Sequence, residues 1–192
     1  PDNEFVVTAS ADNTARVWNI TNSLGSATIV RDPVTVLASH NGLVTSASFS
    51  PDGQRVITSS RDGFTYIWDW TNSSLNRKSR EHKNWVLHAS SSPDGKWIVD
   101  TSIDDFVYVW DWENNQLVSR LSEHSGDVTS ASFSPDQTRL VTSSKDGTAL
   151  ILPRQLFAPF NEILDEVPKR LTRTLTPAEI AQYLAVDQGP RK

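Results

Sequence analysis

The chain has 192 residues, with 18 basic and 23 acidic side chains and a formal charge of −5, a size that fits one ordinary domain or a small two-part arrangement. With 37% hydrophobic residues and seven tryptophans disorder is a poor description, and no stretch approaches the roughly 20 apolar residues of a membrane-spanning helix. The absence of cysteine removes disulfides, thiol catalysis and cysteine-ligated zinc; the acidic surplus of residues 1–153, 18 against 12 basic groups, argues against a nucleic-acid partner, which calls for clustered Lys and Arg.

The chain opens on Pro1 and contains no methionine, so a processed chain or a fragment is expected. Asp12 and Trp18 stand six apart near the start. The Asn/Ser/Gly-rich stretch 21–29 reads as a lengthened surface loop, and residues 35–38 read as a short strand before His40. Val44, Ser46 and Ser48 then alternate with Thr45, Ala47 and Phe49, after which Ser50-Pro51-Asp52-Gly53 makes a turn: Pro pre-sets its bend and Gly is free to take positive φ. Residues 55–60 form a β-rich run, 61–63 a tight hairpin turn, and 64–70 a further strand of aromatic and β-branched residues. Four short antiparallel strands in about forty residues fit one blade of a propeller.

That unit recurs. VTSASFSPDG (44–53), VLHASSSPDG (86–95) and VTSASFSPDQ (128–137) start 42 residues apart, and self-similarity at such a period is the signature of a repeat architecture. His40, His82 and His124 share the step, as do Asp62, Asp104 and Asp146. Trp68 and Trp110 follow it, with Leu152 in the third place. Asp12 and Trp18 belong to an incomplete upstream copy, set 50 residues before their counterparts.

FSPDG, SSRDG and YIWDW, with a His 22 residues before the Asp, resemble the WD-repeat β-propeller family over residues 1–153. There are departures: Ser39-His40, Glu81-His82 and Glu123-His124 for the usual Gly-His, Trp18-Asn19 and Leu152-Pro153 for Trp-Asp, and Ser91 where Phe49 and Phe133 stand. The resemblance implies structural tetrads in which Asp accepts from His, His meets a strand Ser, and Ser meets the Trp indole. The sets are His40, Ser60, Asp62 and Trp68; His82, Ser102, Asp104 and Trp110; His124, Ser144 and Asp146; and Ser10, Asp12 and Trp18. A fully satisfied buried polar network fixes strand register. The same trio of His, Ser and Asp returns three times, which makes it a structural element and not a hydrolase triad, and the copy with Leu152 in place of the indole is expected to be the loosest. His88 stands apart, on a strand where its counterparts are Ser46 and Ser130. No catalytic, cofactor-binding or metal motif is present in the sequence, and no cofactor is expected.

After Leu152 the period stops. Thr176, Pro177 and Glu179 make a helix start, with Leu175 and Ile180 placed for a hydrophobic staple, and Ile180, Tyr183 and Leu184 share one face. Ile163, Leu164, Val167 and Leu171 suggest an earlier helix bent at Pro168. The predicted fold is therefore all-β: a β-propeller of about four blades over residues 1–153, followed by a short α-helical tail over 154–192. Pro1 aligns with Pro51, so the first blade lacks its innermost strand, and the C-terminal part of a larger propeller is expected. The ending R-x-L-T-P-x-E…Y-L at 173–184 is similar to the C-termini of bacterial multidomain WD-repeat signalling proteins, which implies an ATPase, kinase or protease module upstream.

The leading functional expectation is a non-catalytic scaffold for other proteins or peptides, cytoplasmic, with no nucleic-acid or membrane partner and with assembly through open blade edges. Neighbouring strands run antiparallel, so the His-bearing loops and the Asp-bearing hairpins share one face. Ala11, Arg61, Ile103 and Lys145 decorate it. Trp85, three residues after His82, either stands exposed there as a binding hot spot or packs between blades. The alternative is a ligand-sensing propeller that regulates an upstream NTPase, kinase or protease. A ubiquitin-ligase substrate adaptor expects Arg two residues after Trp-Asp, where this chain has Thr71 and Glu113.

Overall fold

Strands form where the sequence alternates and end at the Ser-Pro-Asp turns. The computed structural model describes residues 4–21, 31–79 and 82–159; most of the loop expected at 21–29 and the tail helices expected beyond residue 160 lie outside them. The first sheet joins β1 (Phe5–Ala9), β2 (Ala15–Asn19) and β3 (Thr35–Leu37) in that order. The second joins β4 (Val44–Phe49), β5 (Arg55–Ser60), β6 (Thr65–Asp69) and β7 (Ser74–Lys78). The third repeats it with β8 (Val86–Ser91), β9 (Trp97–Ser102), β10 (Val107–Asp111) and β11 (Gln116–Leu121). The fourth holds β12 (Val128–Phe133), β13 (Arg139–Ser144) and β14 (Ala149–Pro153), followed by a 3-10 turn at Arg154–Leu156. All pairings are antiparallel. These sheets are blades 1 to 4.

Each Ser-Pro-Asp turn is closed by its own side chains. Ser50 Oγ accepts from the Arg55 N–H at 2.9 Å, and Asp52 accepts from the Gln54 N–H at 3.0 Å. Ser92 with Trp97, and Ser134 with Arg139, repeat the first of these bonds. The inner strands β4, β8 and β12 carry the same bulge near their starts, so each blade presents its side chains in the same phase.

The core lies in the seams between successive blades. Val17, Leu37, Val44, Val56, Tyr66 and Trp68 are buried together at the first seam, with Phe5, Phe49 and Trp70 packed against them. Ile57, Ile67, Ala89 and Ile98 make a smaller cluster at the second, touched by Trp112. Polar bonds bind the inner strands: Thr45 donates to the Val86 carbonyl at 2.8 Å, and Ser90 to the Ala131 carbonyl at 3.1 Å. The outer face of blade 4 differs. Val141 and Ile151 are 45% and 64% exposed, although their counterparts Val99 and Val109 are fully buried, because no described blade follows to cover them.

The chain divides into two compact units, Pro1–Phe157 and Ala158–Lys192. Leu152 is buried, and so is Phe157.

Candidate functional site

The polar residues that recur with the repeat fold inward. In blade 2 the Trp68 indole N–H donates to Thr58 Oγ1 at 2.8 Å, and Thr58 Oγ1 lies 2.8 Å from His40 Nε2. His40 Nδ1 lies 2.8 Å from Asp62 Oδ2, which also accepts from the Asn41 N–H at 3.0 Å. Since the threonine oxygen already accepts from the indole, its proton points to Nε2, and the imidazole proton sits on Nδ1 facing Asp62; this tautomer follows from satisfying every member. Tyr66 stacks on His40 with ring centroids 3.9 Å apart. Burial, the largest influence on Asp62, raises its pKa, but donation from His40 and from the Asn41 N–H outweighs it and holds the carboxyl below its usual range.

The strand hydroxyl of this network is Thr58, and Ser60 is not part of it. Ser60 donates to the Gly42 carbonyl at 2.9 Å and accepts from the Asp62 N–H at 3.1 Å, closing the hairpin. Blade 4 repeats both arrangements: His124 meets Thr142 at 2.8 Å and Asp146 at 2.9 Å, while Ser144 donates to Gly126. Thr148 donates to Asp146 and, with His124, holds that carboxyl well below the usual range. In blade 1, Trp18 donates to Thr8 at 2.9 Å while Ser10 accepts from the Asp12 N–H. Asp12 turns to Thr14 and Arg16; hydrogen bonds from Thr14 and Ser10 lead in pushing its pKa down to about 2. The expected serines Ser10, Ser60, Ser102 and Ser144 are therefore turn caps, and the hub lies two residues earlier on the same strand face.

Blade 3 is wired differently. Its hub is Asp100, fully buried, with Oδ2 2.9 Å from His82 Nε2 and Oδ1 accepting from the Trp110 indole at 3.0 Å. Thr65 of blade 2 donates to the same Oδ2 at 2.7 Å. The expected bond from His82 to Asp104 is replaced: Asp104 Oδ2 accepts from the Tyr108 hydroxyl at 2.8 Å, and Ser102 accepts from the Asp104 N–H. Burial first, and then the bond to Asp104, push the Tyr108 hydroxyl pKa far up. His88 is half-buried, and burial lowers its pKa.

The loop face gathers the remaining candidates. The N–H groups of Arg61, Ile103 and Lys145 donate to the carbonyls of Leu43, Trp85 and Asp127 at 2.9, 3.1 and 2.9 Å, so each hairpin residue lies beside the residue three after a repeat His. Trp85 is 43% exposed, so it is not buried between blades. The Arg61 guanidinium of blade 2 sits 4.5 Å from its ring centroid. Ile103 is half-buried, whereas Ala11, Arg61 and Lys145 are exposed, Lys145 being paired with Asp127 at 2.8 Å.

The family model described as WD40, WD domain, G-beta repeat matches residues 1–19, 31–69, 73–111 and 115–151, one stretch for each blade, ending in β2, β6, β10 and β14. No curated protein matches the chain.

Proposed function

The chain belongs to the WD-repeat family, and on that premise we propose that it is a non-catalytic scaffold that captures a partner protein or peptide on its loop face, with Trp85 and Arg61 as the anchor. WD repeats generally mediate protein–protein interaction, and WD-repeat domains are typically non-catalytic. One observation carries the choice of site: Trp85 is exposed and already braced by Arg61 at 4.5 Å. Trp and Arg dominate interface hot spots, and a cation held over an indole limits the ordering cost of using both. Half-buried Ile103, joined to Trp85 through the backbone, extends the apolar surface, and Lys145 lies on the next hairpin. A cytoplasmic setting is part of the same proposal, as is association through the uncovered face of blade 4, where Val141 and Ile151 stand exposed.

The reading predicts that Trp85→Ala weakens capture of a cross-linked cellular partner by about thirtyfold or more, the scale of a hot-spot truncation, with no change in the denaturation midpoint. Retained capture in Trp85→Ala and in Arg61→Glu would remove this face from consideration. The second reading, a ligand-sensing propeller that regulates an upstream NTPase, kinase or protease, draws its support from the ending at 173–184. A phosphate-binding loop encoded upstream of Pro1 favours that reading, and a frame encoding only further WD repeats favours the plain scaffold.

A further inference from the structure

Each seam between successive blades uses the same three places. At the first they hold Phe5, Phe49 and Trp70, with ring centroids 4.9 and 5.8 Å from Trp70. At the third the first two places hold Trp97 and Phe133, and the place of Trp70 is taken by Arg154, whose guanidinium lies 5.1 Å from the Trp97 ring. The seam is nonetheless filled, because Phe157 on the following turn is fully buried, its ring 6.1 Å from Trp97 and 5.7 Å from Phe133. At the second seam the same places hold Arg55, Ser91 and Trp112, a single aromatic, and a cavity of about 390 Å³ opens there. Ligand pockets start at about 300 Å³, and a dry cavity of about 150 Å³ is enough to take up benzene.

We propose that this cavity between blades 2 and 3 docks a peptide segment that inserts an aromatic side chain beside Trp112 and places a basic residue against the carboxylates around it. The chain's own third seam supplies the precedent for such an occupant, since there a ring from outside the three places, Phe157, packs into the seam against Trp97 and Phe133 with the cation of Arg154 on the same short turn. Trp112 is fixed for stacking by donation from its indole to the Gly95 carbonyl. The basic residue follows from charge: Asp52, Asp94 and Glu113 line the cavity, while its one cation, Arg55, faces Asp69 at 3.7 Å. Asp52 spends one oxygen, Oδ1, on its own turn; Asp94 does the same and in addition accepts from the Gln137 side-chain amide, 3.0 Å from Oδ2. Donation from Ser50 leads in keeping Asp52 ionised over the ordinary pH range.

The test is a titration of the full chain with the capped synthetic peptide Arg-Gln-Leu-Phe-Ala, the sequence of residues 154–158, followed by calorimetry and by the indole N–H resonances. Binding is expected to move the Trp112 resonance. Ser91→Phe, which puts into the seam the ring that Phe49 and Phe133 supply elsewhere, is expected to weaken binding by about tenfold or more, or about 1.4 kcal/mol. The peptide with Phe replaced by Ala should bind no more tightly than that. Undiminished binding to Ser91→Phe, a response that leaves Trp112 unmoved, or no binding to the wild type at millimolar peptide each overturns the proposal. Should Ser91→Phe fail to fold, Ser91→Leu fills the same space with less bulk, and the Trp112 resonance in the wild type stands as the independent reading.

Discussion

Blades 2 and 3 carry the same strands in the same register, yet one network is built on a hydroxyl and the other on a carboxyl. Thr58 serves two partners, the His40 ring and the Trp68 indole, both in its own blade. Asp100 has two oxygens to satisfy: it accepts from Trp110 in its own blade and from Thr65 in the neighbouring one, with the His82 ring 2.9 Å away. The places equivalent to Thr65 are Ala15 and Val107, which have no hydroxyl and face blades with a threonine hub. Replacing Thr by Asp thus converts a network closed within one blade into one that ties two blades together. The energetic stake rises with it, because a buried carboxyl is costly unless every partner is in place.

The largest expected effect follows directly. Asp100→Ala leaves the buried Trp110 indole N–H and the Thr65 hydroxyl without their acceptor, and at about 1–3 kcal/mol for each unpaired buried group the loss is expected to reach about 3–5 kcal/mol. Thr58→Ala removes a neutral hydroxyl and is expected to cost about 1–3 kcal/mol. Urea denaturation of the two variants compares the blades; equal losses would show that the carboxyl hub carries no special weight. A smaller effect isolates the link between blades. Thr65→Val and Asp100→Thr each remove half of one interaction, and together they restore the pairing of residue types found between blades 3 and 4. The double variant is expected to be more stable than the sum of the single losses by about 1 kcal/mol. Strict additivity would mean that Thr65 merely sits near Asp100.

How much of this the sequence discloses depends on the kind of feature. The 42-residue period gives the blades, their turns and their order, because hairpin turns and alternating strands are local and repeat visibly. It cannot choose between Thr58 and Ser60, which lie two residues apart and share one strand face. That choice is made by the Gly42 carbonyl, which captures Ser60 at the bulged end of the strand. The rewiring of blade 3 has two signals in the sequence, Asp100 in the place of Thr58 and Thr142, and Asn84 in the place of Gly42 and Gly126. A Cβ on Gly42 would lie 2.8 Å from the Asp62 nitrogen, and one on Gly126 3.1 Å from that of Asp146. Asn84 carries that Cβ, so its loop cannot approach the hairpin as closely, and Asp104 bonds to Tyr108 instead. Phe157 and the second-seam cavity are hidden for another reason. Ser91 is visible as a departure, but its consequence depends on Arg55 in the preceding blade and on a filler that follows the last repeat.

The smallest effect concerns pH and separates Asp62 from the other hairpin acids. Its folded pKa lies below the ordinary 3.8, so the contribution of the His40–Asp62 contact is fully present above the unfolded value. It is lost as pH falls toward the folded value, because the unfolded chain then binds a proton that the folded chain resists. Asp12 and Asp136, both pushed down to about 2 by neighbouring hydroxyl and backbone donors, add to the same acid slope from exposed turns. Asp62→Asn keeps the shape and the acceptor oxygen but cannot take up the proton. It should therefore be less stable than the wild type at pH 7, and the gap should narrow between pH 4 and pH 2.5 as the wild type loses what the variant never had. Urea midpoints of both proteins across that range provide the check. Parallel curves would mean that the acid slope arises in the exposed turns, and that Asp62 holds His40 by position and not by charge.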